Sequence, residues 1–141
     1  MVRLFFITGA NSGCGLEAAR QLAIYFSHQQ QDQTENDKVK IYLLCRSEEK
    51  AKEAMTDIGT SNLEYMKFDA YDDSETIREN ICRSLQPNDD NNEVIIGGII
   101  LNAGGFGDGN NNNNNKNKNR MMMMMMMMMI VVIVELVTSL N

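Results

Sequence analysis

An apolar strand, Leu4-Phe5-Phe6-Ile7, runs directly into Thr8-Gly9-Ala10-Asn11-Ser12-Gly13-Cys14-Gly15, and a helical pattern begins at once. No other stretch constrains the fold as strongly. A tight turn from strand to helix needs backbone at positive φ and room for a ligand to lie against it, and glycine allows both. The helix behind the turn presents unpaired N–H groups and a partial positive charge to whatever sits there. Strand, glycine turn and helix in that order form an anion pocket, for which a pyrophosphate is the usual occupant. The spacing is Thr-Gly-x-x-x-Gly-x-Gly, not the more familiar Gly-x-Gly-x-x-Gly.

Alternation continues down the chain. Leu16, Ala19, Ala23 and Phe26, with Leu22 beside them, recur at helical spacing and predict a helix laid on a sheet. Residues 29–38 are polar and aperiodic, so they read as a solvated loop. Lys40–Leu44 is a short apolar strand. Ser47 can cap the next helix, with Glu48 and Glu49 in its first turn, a core face of Ala51, Ala54, Met55 and Ile58, and Gly59 as its stop. Leu63–Phe68 predicts a third strand. Asp73 or Ser74 caps a helix with Ile77, Ile81 and Leu85 on one face, and Val94–Leu101 is an apolar run interrupted by Gly97 and Gly98. Strand and helix alternate four times, which argues for an α/β fold: a Rossmann-type parallel sheet with helices on both faces and ligands at the carboxyl ends of the strands.

After Leu101 the character changes. Residues 104–109 are glycine-rich, 110–115 are all asparagine and 121–129 are all methionine. Homopolymers carry no packing code, so disorder is expected around 110–120. Nine methionines favour helix but cannot separate a core face from a wet one. Ile130–Val134 is β-branched and reads as a candidate fifth strand. The expected organisation is a nucleotide-binding unit over 1–107, a low-complexity segment over 108–129 and an apolar tail over 130–141.

The 141 residues suit one domain. A net charge of −6 gives no general affinity for nucleic acid or anionic membrane, so a bound phosphate must be met by local cations. Cys14, Cys45 and Cys82 are odd in number and lack metal-ligand spacing, which suggests free thiols, no metal and a reducing, cytoplasmic setting. At Cys14 a small residue is all the turn requires. The strand starting at Val2 leaves no room for a leader. The apolar run over 121–134 falls short of the roughly 18 to 20 residues of a bilayer span, and Glu135 ends it. Membrane association is not expected. A tail stretched past Glu135 to Leu140 would be the lesser alternative.

Four stretches, each at a strand end and in order, resemble the short-chain dehydrogenase/reductase family: Thr8 to Gly15, Cys45-Arg46-Ser47, Phe68-Asp69 and Leu101-Asn102-Ala103-Gly104. The turn and Cys-Arg-Ser are similar to those of the retinol dehydrogenase, ketosteroid reductase and carbonyl reductase branches. The resemblance covers residues 1–107 and implies a cofactor-binding half, truncated to four strands or five. It makes the backbone of Gly9, Gly13 and Gly15 the pyrophosphate cradle, with Asn11, Ser12 and Cys14 in the same turn. It makes Asp69 an acceptor for the adenine amino group, and it runs Asn102, Ala103 and Gly104 beside the nicotinamide ribose. Leu101 departs from the family's usual Asn there.

NAD-preferring members place a carboxylate at the end of the second strand to hold the ribose 2′-hydroxyl. Cys45 stands there instead, followed by Arg46, whose guanidinium can grip a 2′-phosphate through two bonds, and Ser47 can add a third. NADP(H) is therefore the expected cofactor. Arg46 paired with Glu49 on the surface is the alternative. The family's catalytic Tyr-x-x-x-Lys does not occur: Tyr25, Tyr42, Tyr65 and Tyr71 all precede Asn102, and none has Lys four residues later. Ser139, behind the candidate fifth strand, is the only trace of a catalytic serine. The resemblance implies hydride transfer between nicotinamide and a carbonyl or alcohol, with the acid/base pair missing from this chain. Two other readings stay open: a non-catalytic NADP(H)-binding regulatory module, and a truncated product without function.

Overall fold

The computed structural model describes residues 1–29, 38–85, 93–102, 127, 130–135 and 138. Strands and helices alternate as β1 (Val2–Thr8), α1 (Gly13–Gln29), β2 (Lys38–Cys45), α2 (Glu48–Ile58), β3 (Leu63–Lys67), α3 (Ser74–Ser84) and β4 (Val94–Ile100). The strands form one sheet of order β3-β2-β1-β4, and all three pairings are parallel. The chain steps outward from β1 to β3, then returns to the other side of β1. The order therefore reverses between β1 and β4, where a parallel sheet opens a crevice at its carboxyl end.

The period-2 alternation of the strands sends side chains to two apolar layers. On one face Ile7, Val39, Ile41, Leu43 and Leu63 meet Ala19 and Ala23 of α1 and Ala54 of α2, with Leu16, Leu22, Phe26, Met55 and Ile58 at the margins. On the other, Leu4, Phe6, Tyr42, Leu44 and Met66 meet Ile77 and Ile81 of α3, with Leu85. The small residues on α1 let it lie close to the sheet. Ser47 caps α2 by accepting from Lys50 N–H, and Asp73 caps α3 by accepting from Thr76 N–H at 2.9 Å.

A bulge in β4 explains its glycines. Leu4 pairs with Ile96 but Phe5 pairs with Gly98, so Gly97 is the extra residue. Ile96 and Ile99, three apart, both reach the α3 face, while Ile100 reaches the α1 face. The Phe5 ring lies over the bulge, where a Cβ on Gly97 would come within 2.5 Å of it.

Residues 130–135 are helical, so the fifth-strand reading does not hold for them. Val132 and Ile133 insert into the α3-side core, Ile133 with no exposure at all. Arg78 of α3 reaches Glu135 at 3.5 Å. Burial of this short face overrides the β-preference of the branched residues. Met127, Val131 and Val134 are exposed. Residues 30–37, within the expected solvated loop, lie outside the described residues, as does the asparagine tract. Among the described residues no helix is long and apolar enough to cross a membrane, and no three metal-ligating side chains cluster.

Candidate functional site

The strand-to-helix turn sits at the sheet's reversal point. Gly9 (φ 64) and Gly13 (φ 55) occupy the left-handed region that favours glycine. Gly9 N–H is held by Leu44 O at 2.8 Å, which ties the turn to β2. Gly15, in the first turn of α1, is constrained by space. A Cβ there would collide with the carbonyl of Gly9 and come within 2.6 Å of Asn102 Nδ2. A Cβ on Gly13 would meet nothing within 4 Å, so the mouth of the turn is open.

The ends of β1 and β4 are latched together. Thr8 is fully buried, and its Oγ1 accepts from Asn102 N–H at 2.9 Å while lying 3.5 Å from Ile100 O. Asn102 Nδ2 donates to Gly9 O at 3.5 Å. Asn102 thus has a structural task, pinning the strand end to the glycine turn. Thr8 belongs to the turn motif, but its partner is 94 residues away and no local pattern announces it.

The remaining site residues spread along the same carboxyl edge. Cys45 is buried at the end of β2; its thiol donates to Ser47 O at 3.4 Å, and burial pushes its pKa up. A neutral thiol, and no carboxylate, therefore stands at the end of β2. Arg46 is exposed, and among the described residues it makes no ion pair, with Glu49 or any other acid. Ser47 Oγ accepts from Lys50 N–H at 3.3 Å, which leaves its own hydroxyl proton available. Asp69, beyond β3, accepts from Tyr71 N–H through Oδ1 at 3.0 Å and keeps Oδ2 for another donor. Asn11 is half-buried, and Ser12 and Cys14 are exposed at the turn.

The structure brings Gly9, Gly15, Thr8 and Asn102 into contact and ranges Arg46, Ser47 and Asp69 along the neighbouring strand ends. Ala103, Gly104 and Ser139 lie outside the described residues. With 130–135 helical, the strand that would place Ser139 is missing.

Solved structures share this fold. A short chain dehydrogenase from Shigella flexneri superposes with a TM-score of 0.73 over 96% of this chain and 50% of its own, at 23% identity. The fold is that of about half of a short-chain dehydrogenase. A dehydrogenase of Shigella flexneri 2a strain 301, complexed with NADP, matches over 92% of this chain and 51% of its own, with 22% identity and a TM-score of 0.70. One from Escherichia coli CFT073, complexed with NADPH, matches over 94% and 52%, with 21% identity and a TM-score of 0.68. The chain thus spans about half the length of the short-chain dehydrogenases it matches. No family model matches the sequence, and no curated protein matches it.

Proposed function

We propose that this chain is the NADP(H)-binding portion of a short-chain oxidoreductase. The observation that carries the reading is the Gly9–Gly15 turn, latched to Asn102 and open at Gly13, at the end of a strand whose neighbour offers Arg46, which makes no ion pair among the described residues. The cradle suits a dinucleotide: Gly13 borders open space, and Gly15 lets α1 begin tight against the Gly9 carbonyl and Asn102, with the N-terminus of the helix facing the place a pyrophosphate would take. Gly9, Gly13 and Gly15, with Asn11, Ser12 and Cys14, would hold the pyrophosphate. Arg46 and Ser47 would hold the 2′-phosphate, and Asp69 the adenine amino group. Asn102, with Ala103 and Gly104, would border the nicotinamide ribose. The dehydrogenases solved with NADP and NADPH support that choice of ligand.

When bound, a nicotinamide supplies hydride for exchange with a carbonyl or alcohol. This chain's residues bind and orient. No Tyr-x-x-x-Lys is present among the 141 residues to exchange the substrate proton, so binding without turnover is expected of the chain itself. Fluorescence titration with NADPH and NADH tests the reading. A charge-assisted contact at Arg46 is worth roughly 1.5–3 kcal/mol, or about 10- to 100-fold in favour of NADPH. Arg46→Asp should abolish or reverse that preference. Equal affinities in the unmutated chain would overturn the assignment, and NADPH oxidation with ketones, quinones or retinals, lost in Gly13→Val, would overturn the expectation of binding without turnover.

A further inference from the structure

Lys67 ends β3 in direct register with Cys45, the last residue of β2. The bond from Phe68 N–H to Cys45 O, 3.2 Å long, keeps the two strand ends level just beyond that pair. Neighbouring strands are about 4.8 Å apart, so Lys67 and Arg46, one residue past Cys45, leave adjacent points of the same sheet edge. Both side chains are exposed, and neither has an ion pair among the described residues.

Two of the nearby acids have ion pairs of their own. Glu48 lies 2.7 Å from Lys52, and Glu64 lies 2.7 Å from Lys40. Asp69 spends one oxygen on the Tyr71 N–H. In a chain of net charge −6, two exposed cations that make no ion pair among the described residues give this strand end local positive charge against the overall field. Cys45, buried and neutral, adds no negative charge between them.

We infer that Lys67 is a second specificity-determining cation, meeting the same 2′-phosphate as Arg46. The inference rests on the NADP(H) reading above. A ribose 2′-phosphate carries a charge of about −1.5 to −2 near neutral pH, more than one guanidinium neutralises. The planar fork of Arg46 sets direction, while the lysine ammonium adds a compact charge on a flexible stem. The uncharged 2′-hydroxyl of NAD(H) offers neither cation a counter-ion, so both act on discrimination and not on binding in general.

The test measures dissociation constants of NADPH and NADH by fluorescence for the unmutated chain, Arg46→Ala, Lys67→Ala, Lys67→Arg and the double alanine variant, at two salt concentrations. Lys67→Ala should weaken NADPH about 5- to 20-fold and leave NADH within about twofold. Lys67→Arg should recover most of that loss, and the salt dependence of NADPH binding should be shallower in Lys67→Ala. Equal weakening of both cofactors would mark Lys67 as structural and overturn the inference. So would a preference for NADPH that Arg46→Ala removes and Lys67→Ala leaves intact. An unmutated chain that binds the two cofactors equally would instead overturn the NADP(H) reading on which this one rests.

Discussion

Gly15 shows how one missing side chain holds the site together. Its α-carbon faces the Gly9 carbonyl and the Asn102 amide, so a methyl group there has no flexible neighbour to push aside on the Gly9 side. Gly15→Ala should therefore lower stability by about 1–3 kcal/mol, the usual cost of overpacking, and weaken NADPH binding with it. Urea unfolding at matched conditions measures the first effect; an unchanged midpoint would show that the turn can relax. The cysteines offer a second probe. Cys14 and Cys82 are exposed and Cys45 is buried, its thiol pKa raised by that burial. A chromogenic disulfide reagent at pH 8 should find two fast thiols and a third only after unfolding. Saturating NADPH should slow one of the fast pair, Cys14. Three equally fast thiols would contradict the packing of the β2 end.

Helix α3 is fixed along one face and at its start by different physics. Ile77 and Ile81 bury one face, and Asp73 caps the start by accepting from Thr76 N–H. That bond, foremost, and a second from the Thr76 hydroxyl to Asp73 Oδ2 hold the Asp73 carboxyl below the usual carboxylate range. A depressed pKa means stabilisation that is complete above the unfolded value, near 3.9, and is lost as pH falls through the lower folded value. Thermal unfolding of the unmutated chain and of Asp73→Asn should therefore differ at pH 7 and converge as the pH drops below about 4. A constant gap across that range would assign the cap's effect to shape instead of charge. The turn chemistry of α2 and α3 was legible in Ser47, Gly59 and Asp73. The bulge at Gly97 was not, because it exists only as a mismatch between Leu4–Phe5 and Ile96–Gly98 on two paired strands.

At the largest scale the described residues form a four-stranded sheet with α1 and α2 on one face and α3 with residues 130–135 on the other. Ile133 joins Ile77, Ile81, Phe6 and Met66 in one fully buried group. Ile133→Ala should cost about 2–5 kcal/mol, as for other buried aliphatic truncations, whereas Val131→Ala, on the exposed side, should cost far less. Equilibrium unfolding of the two variants checks this, and equal small losses would detach the helical segment from the core. β4 carries apolar residues on both faces, yet none of its seven residues is fully buried. Among the described residues it is the edge of the sheet, opposite β3.

By itself the sequence determined the alternation of strands and helices, the core faces of α1, α2 and α3, the caps at Ser47 and Gly59, Asp73 as one of two candidates for a third, and the glycine turn. Each of these depends on residues within one or two turns of one another, where periodicity and φ preference act directly. The tertiary structure decided the rest. It set β4 beside β1, which brought Asn102 onto Gly9 and Thr8, and it set Lys67 level with Cys45. It also turned Ile130–Val134 from an expected strand into helix, because Val132 and Ile133 found a core to enter. Those outcomes depend on which apolar faces meet and in what register. Contacts tens of residues apart in the chain are chosen by the packed whole, not by local pattern.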